Sequence, residues 1–332
     1  MECLCWQPTK EIVKTKHGDR YMNWVKKGLI FNVDGQYDWN KSHAQCPVVD
    51  KLNEKIWRIF YSSRNILGKS QISYFDVKAG QPESIVNRNS NYLFELGKPG
   101  SFDDSGVMPT SIVSQNNKKY LYFIGWTIKK TVPYHNSIGI AVSEDDGETF
   151  TKCFDGPVIG ATHLEPYFTG TAYVRIESGL WRIWYLSCTK WEEIEGRQEP
   201  YYHIKYAESN DGIHWDRQAK VAIDFKDNHE GGIVSASVLK EKDVYKMWYG
   251  YRQAKGYREL KERAYRIGYA ESKDGIEWIR KDELAGIDCS DEGWDSEMMS
   301  YPNVIEHQGT KYMFYNGNGF GKTGIGYATL EE

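Results

Sequence analysis

Ile267-Gly-Tyr-Ala-Glu-Ser-Lys-Asp-Gly-Ile-Glu-Trp278 is the stretch that decides how this chain is read. A short β-branched and aromatic run leads into Ser-x-Asp-Gly, where Ser and Asp bond the local backbone and Gly supplies a positive φ, and a tryptophan follows. The pattern recurs as Ile204-Lys-Tyr-Ala-Glu-Ser-Asn-Asp-Gly-Ile-His-Trp215 and as Ile138-Gly-Ile-Ala-Val-Ser-Glu-Asp-Asp-Gly-Glu-Thr-Phe150. Shorter forms are Ile72-Ser-Tyr-Phe75 and Ile325-Gly-Tyr-Ala328. The Ala position falls at 75, 141, 207, 270 and 328, so the steps are 66, 66, 63 and 58 residues. A fixed period of this kind is the mark of a repeat architecture.

A second motif precedes each copy and keeps step with it. It begins at Trp57, Tyr120, Trp181, Tyr245 and Tyr312, as in Trp181-Arg-Ile-Trp-Tyr-Leu186. Each repeat then holds an inner strand, the aromatic strand, the Ile-Gly-Tyr-Ala strand and a short Trp-led strand after the turn. Four strands in about sixty residues make a propeller blade. The expectation is an all-β, five-bladed β-propeller with four-stranded antiparallel blades, forming one domain over 1–332. The blades run approximately 43–96, 97–160, 161–225, 226–288, and 289–332 plus 20–30. The last repeat stops before any Trp-led strand, and Trp24-Val-Lys-Lys resembles Trp278-Ile-Arg-Lys. An N-terminal strand is therefore expected to close the fifth blade.

Composition agrees with this reading and narrows the function. The 332 residues include 24 Tyr, 12 Trp and 12 Phe, too many rings for a disordered chain. Mean hydropathy is −0.64, and no apolar run approaches the roughly 18 residues of a membrane span. Forty-two basic against 46 acidic residues give a net charge of −4, which offers no global attraction to nucleic acid or to a membrane. Residues 1–6 lack the basic and apolar regions of a signal peptide. Cys3, Cys5, Cys46, Cys153, Cys188 and Cys289 show no Cys-x-x-Cys spacing. A cytoplasmic protein with reduced thiols is expected. No cofactor or metal is expected; an ion in the central channel and the oligomeric state are left open.

The start of each inner strand and the end of each second strand share one face of a propeller. Aligned backward from the aromatic motifs, Asp104, Glu165, Glu230 and Glu297 fall at corresponding positions, where blade one has Ser42-His43. Acids converging there suit glycoside hydrolysis, which needs one protonated and one ionised carboxyl. Second-strand ends add Arg64, Trp126, Lys190 with Trp191, Arg252, and Asn316 with Asn318. The tryptophans could stack on a sugar, and Arg and Asn could bond hydroxyls or a carboxylate. Arg252 to Arg266 carries six basic residues against two acids. That loop reads either as a solvated segment or as a lid attracting an anionic substrate.

These repeats resemble the five-bladed propeller glycosidases of glycoside hydrolase families 43, 32, 68 and 130 over residues 20–332. Ser143 to Phe150 also resembles the Asp-box turn of sialidases. The resemblance implies a carbohydrate-active enzyme that hydrolyses a small glycoside by carboxylate acid/base chemistry, an anionic one if the basic loop attracts it. It implies Asp103 or Asp104 in the second-blade role and Glu165, before Pro166, as the acid. Where those families carry Asp-Pro in blade one, this chain has His43-Ala-Gln-Cys-Pro47. Two alternatives follow: a non-catalytic glycan- or protein-binding propeller, and a phosphorylase using Arg252, Lys255 and Arg258. His43 and Asp103 complete the expected substrate contacts.

Overall fold

The computed structural model describes residues 21–331, and twenty strands lie among them. Cys3, Cys5 and residue 20 lie outside the described residues. Blade 1 holds β2 (Ser42–Lys51), β3 (Ile56–Arg64), β4 (Ser70–Lys78) and β5 (Gln81–Arg88). Blade 2 holds β6 (Gly106–Gln115), β7 (Lys118–Ile128), β8 (Tyr134–Ser143) and β9 (Thr151–Lys152). Blade 3 holds β10 (Thr169–Glu177), β11 (Leu180–Ile194), β12 (Arg197–Ser209) and β13 (Asp216–Ile223). Blade 4 holds β14 (Glu230–Glu241), β15 (Val244–Gln253), β16 (Arg266–Ser272) and β17 (Ile279–Arg280). Blade 5 holds β18 (Ser300–His307), β19 (Thr310–Asn316) and β20 (Ile325–Glu331), and β1 (Asn23–Phe31) pairs antiparallel with β20 on its outside. The N-terminal strand thus closes the ring, as the Trp24 motif predicts.

The rings that make the sequence so aromatic lie between blades. Trp57 meets Tyr312 edge-on at 5.0 Å across the blade 1–5 boundary, and Tyr120 meets Trp181 at 5.5 Å across blades 2 and 3. Each of the five boundaries has its own buried apolar cluster. The Ser-x-Asp-Gly turns join the same boundaries by hydrogen bonds. In blade 3, Ser209 Oγ accepts Gly212 N–H (2.9 Å) and Asp211 accepts the next two amides. The turn's carbonyl, at Gly212, then accepts Tyr122 Oη–H of blade 2 at 2.7 Å. Gly275 O accepts Trp184 Nε1–H, and Gly147 O accepts Arg58, in the same manner. Thus the turn does two jobs: it reverses the backbone and caps a neighbouring blade's polar aromatic or arginine.

Around the axis, the inner strands are bulged, and the register shifts at Gln45/Val48, Thr169/Ala172, Val234/Ser237 and Ser300/Asn303. A bulge re-aims side chains, and here it links inner strands to one another. Ser111 accepts Val174 N–H, Ser237 accepts Val304 N–H, and Asn303 accepts Val49 N–H, at 2.9, 2.8 and 3.1 Å. The channel narrows to a cavity of about 20 Å³ among Pro47, Thr110, Thr171, Ala236 and Tyr301. That is room for about one water molecule.

Ring closure depends on Trp24, which is 5 % exposed and packs edge-on against Trp248 of blade 4 at 5.8 Å. Trp24→Ala is expected to destabilise the protein by about 3–5 kcal/mol, read as a lowered urea midpoint. An unchanged midpoint would show that β1 does not hold the ring closed.

Candidate carbohydrate site

The carboxylates ahead of the inner strands sit at corresponding places in blades 2 to 5, and each is buried and ion-paired. They are Asp103, Glu165, Glu230 and Asp295, between 1 and 7 % exposed. Each partner is a cation from the outermost strand of the same blade. Asp103 pairs with Lys152, Glu165 with Arg217, Glu230 with Arg280 (2.7 Å) and Asp295 with Lys26 (2.8 Å). A second-strand tyrosine completes two of these clamps: Tyr185 donates to Glu165 at 3.0 Å and Tyr315 to Asp295 at 2.9 Å. In blade 4, Tyr249 bonds Asp282, which shares Arg280 with Glu230. These cations follow one rule in the sequence: each lies two residues after an aromatic residue at or next to the start of the outermost strand. The pairs are Phe150 and Lys152, Trp215 and Arg217, Trp278 and Arg280, and Trp24 and Lys26.

Two expected carboxylates lie elsewhere, each close in sequence to a clamp acid. Half-buried Asp104 accepts Gly100 N–H and Ser105 Oγ–H, both at 2.8 Å. Despite its partial burial, these bonds and Lys69 hold its carboxyl below the usual range. Glu297 is exposed and lines a cleft of about 530 Å³ with Tyr257, Arg258, Leu260, Met298 and Phe320. Asp103/Asp104 and Asp295/Glu297 lie in turns ahead of their inner strands, so an offset of one or two residues exchanges a buried clamp for a more exposed acid. Glu165 also lies 3.2 Å from Lys205 and accepts Ser187 Oγ–H at 2.7 Å. Burial would raise its pKa, but the Ser187 bond and the charges of Arg217 and Lys205 prevail and hold it below the usual carboxylate range.

The same face holds a largely buried aromatic cluster, with Trp191 and Tyr134 partly exposed at its edge. Trp191, Tyr134 and Phe168 form one continuous wall, with centroids 5.4–5.5 Å apart. Phe168 continues to Tyr202 (6.1 Å), whose hydroxyl meets that of Tyr265. Tyr265 and Tyr257 both lie against Phe320, at 6.1 and 6.4 Å. Phe320 O accepts Gln45 Nε2–H at 2.7 Å, and Gln45 Oε1 accepts Arg64 Nε–H at 3.0 Å. The wall thus passes from blade 2 through blades 3, 4 and 5 to blade 1. Burial pushes the hydroxyls of Tyr134, Tyr257, Tyr265 and Tyr301 above the usual phenol range, so they remain neutral donors and acceptors.

Of the basic loop, Arg252 is 1 % exposed. It donates to Tyr202 Oη, Pro200 O and Gln253 O, and stacks 3.8 Å over Tyr257. It is out of a ligand's reach and acts by holding the tyrosines. Arg258 is paired with Glu199 at 3.1 Å, and Lys255 is exposed. Lys190 lies over Tyr201 and pairs with Glu192, outside the wall. Trp126 donates to Ser70 Oγ at 2.8 Å. Asn316 is fully buried, bonding Cys46 N–H and the carbonyls of Ala44 and Gly324. Asn318 accepts the Glu297 and Met298 amides. Both asparagines therefore hold backbone rather than offer amides to a ligand. His43 and Arg64 line the mouth.

Sequence reasoning missed the tyrosines because it considered inner-strand starts and second-strand ends only. Third-strand starts share that face, and Tyr202 and Tyr265 each stand five residues before the Ala marker, at 207 and 270. Among the described residues, no group of three or more His, Cys, Asp or Glu side chains is arranged to hold a metal ion.

Solved structures of similar fold are glycoside hydrolases. A complex of BT0996 with RGII matches with a TM-score of 0.68 at 17 % identity, over 94 % of the present protein and 93 % of the other. A thermostable family-43 glycoside hydrolase matches at 0.60 and 16 %, over 89 and 90 %. An exo-1,5-α-L-arabinanase from a bovine ruminal metagenomic library matches at 0.60 and 12 %, over 89 and 95 %. At these identities the likeness is one of fold: a five-bladed propeller shared with families 43 and 32. No family model matches the sequence. The uncharacterized proteins Rv1502 and MT1551 of Mycobacterium tuberculosis are each 36 % identical over 311 residues, 94 % of the present protein and 100 % of theirs. With that identity over the full length of both relatives, the protein belongs to one family with these two mycobacterial proteins.

Proposed function

We propose that this protein recognises a carbohydrate in the aromatic mouth of a glycosidase-type propeller and does not hydrolyse it by paired carboxyls. One contrast carries the reading. Partly exposed Trp191 and Tyr134 stand at the edge of a buried cluster of neutral tyrosines, while every clamp acid is engaged by a cation of its own blade. Aromatic faces with nearby hydroxyls suit sugar rings, which present C–H faces and peripheral hydroxyl groups. A general acid must instead be protonated at working pH, and Arg217, Lys205 and Ser187 favour the ionised form of Glu165.

One observation favours a hydrolytic reading. Glu165 precedes Pro166 in blade 3, where the resemblance to family 43 implies the acid. Hydrolysis would require Glu165 to leave its cations when substrate binds.

Two measurements separate the readings. Trp191→Ala is expected to weaken glycan binding by about 1–2 kcal/mol, roughly tenfold in Kd, in glycan-array titrations. Unaltered binding would remove the aromatic wall from the site, and glycoside turnover by the wild type that vanishes in a folded Glu165→Gln variant would establish hydrolysis.

Glu165→Gln also tests the clamp. Leaving Arg217 and Lys205 without their anion should cost about 3 kcal/mol of stability at pH 7. Because the folded-state pKa of Glu165 is depressed, the wild-type advantage exists above the ordinary carboxylate range and fades as pH falls through the folded value. The gap between the urea midpoints of the two proteins should therefore be full at pH 7 and narrow as pH falls below the ordinary carboxylate range, and a gap absent at pH 7 or widening on acidification would contradict the clamp.

A further inference from the structure

Arg64 ends β3, opposite Ser42, and is half-buried at the blade 1 side of the mouth. Gln45, itself 1 % exposed, fixes the guanidinium through Nε, and Phe320 O fixes Gln45 in turn. Among the described residues, the two terminal nitrogens of Arg64 have no acceptor and the side chain has no carboxylate partner. Its neighbours Tyr301 and Cys46 supply no counter-charge: burial pushes the Tyr301 phenol up and the Cys46 thiol to about 12. No acid occurs in β2 before Asp50. Other guanidiniums have carboxylate partners, whatever their depth: Arg58 with Asp76 and Glu148, Arg217 with Glu165, Arg258 with Glu199, and Arg280 with Glu230 and Asp282. Arg64 stands apart as a fork held in place and left open.

Two further groups face it. His43 adopts a left-handed backbone (φ 65°), which a non-glycine residue takes only when its surroundings enforce it. Its Nδ1 meets Ser42 Oγ at 2.8 Å, and its other nitrogen has no partner among the described residues. Burial, and then the charges of Arg64 and Lys322, lower its pKa to about 4, so the imidazole is neutral at pH 7. Lys322 is exposed and has no ion pair among the described residues. It lies on the blade 5 turn that packs onto blade 1. At Gly321 (φ 91°) a Cβ would come within 2.7 Å of Ala44 O, so glycine is what allows that approach.

We propose that Arg64, His43 and Lys322 form an oxyanion subsite that receives the charged group of an acidic sugar, a carboxylate or a phosphate monoester. The proposal rests on the carbohydrate reading above and names its ligand class. An open guanidinium fork matches two oxygens of either group, and a neighbouring lysine adds charge without demanding geometry. Nearby, the neutral imidazole can donate or accept a hydrogen bond without repelling the anion. The anion is thus read by blades 1 and 5, whereas the buried or paired arginines of the Arg252–Arg266 segment hold the wall.

Matched glycans on an array, each present in neutral, uronic acid and phosphorylated form, test this with the intact protein. The wild type is expected to bind an acidic member at least tenfold more tightly than its neutral counterpart, and uronate against phosphate identifies the source of the charge. Arg64→Met should bring the acidic-to-neutral ratio to within twofold. Lys322→Gln, at an exposed side chain, should lower it several-fold even if the Arg64 variant does not fold. Equal binding of neutral and acidic members, or a full ratio retained in both variants, would overturn the subsite while leaving the carbohydrate reading in place. Absence of binding to every member, charged or neutral, would overturn both.

Discussion

In blades 2 to 5, an ion pair between an acid at or just ahead of the inner strand and a cation on the outermost strand of the same blade organises this face. Asp103–Lys152, Glu165–Arg217, Glu230–Arg280 and Asp295–Lys26 each span a blade from its axis side to its rim. A buried carboxylate without a counter-charge is strongly unfavourable, so each acid fixes where the short outer strand must lie. The outer strands of blades 2 and 4 are two residues long, too short to be held by their ladders alone. In blade 5 the cation comes from β1, so the same interaction helps to close the ring.

From this constraint follows the chemistry of the mouth. Each clamped acid has its charge offset by its own cation, and Arg217, Lys205 and Ser187 favour the ionised form of Glu165. What remains are neutral tyrosines, the Trp191 wall and, on blade 1, Arg64. Blade 1 has no acid between Ser42 and Pro47, and it is the blade where a guanidinium is left open. On the proposed reading, a scaffold shared with glycoside hydrolases presents this face to a sugar without a free carboxyl pair. Arg252, buried without a carboxylate, stabilises that surface from behind through Tyr202 and Tyr257.

Much of the architecture was legible in the sequence because a propeller repeats its constraints. The Ile-Gly-Tyr-Ala and Ser-x-Asp-Gly elements recur since every blade must turn and then meet a neighbour. Trp24 was recognisable as the strand the fifth blade lacks because it copies Trp278-Ile-Arg. Site geometry was less legible. Loop lengths ahead of the inner strands differ, so counting back from Tyr120 and Tyr312 reached Asp104 and Glu297 where Asp103 and Asp295 take the clamp positions. The clamp cations were present as Trp-x-Arg or Lys, yet only the fold shows that they reach the acids. Lys322 could not be read at all, since its turn approaches blade 1 through Gly321, which meets Ala44 from the far end of the sequence.

A crystal structure of the protein soaked with an acidic oligosaccharide that it binds is the most direct test. Clamped acids beside an aromatic wall predict a sugar ring against Trp191 and Tyr134, its charged group on Arg64, and Glu165 still paired with Arg217. A Glu165 carboxyl that has left Arg217 to contact a glycosidic oxygen, with the charged group remote from Arg64, would contradict that arrangement.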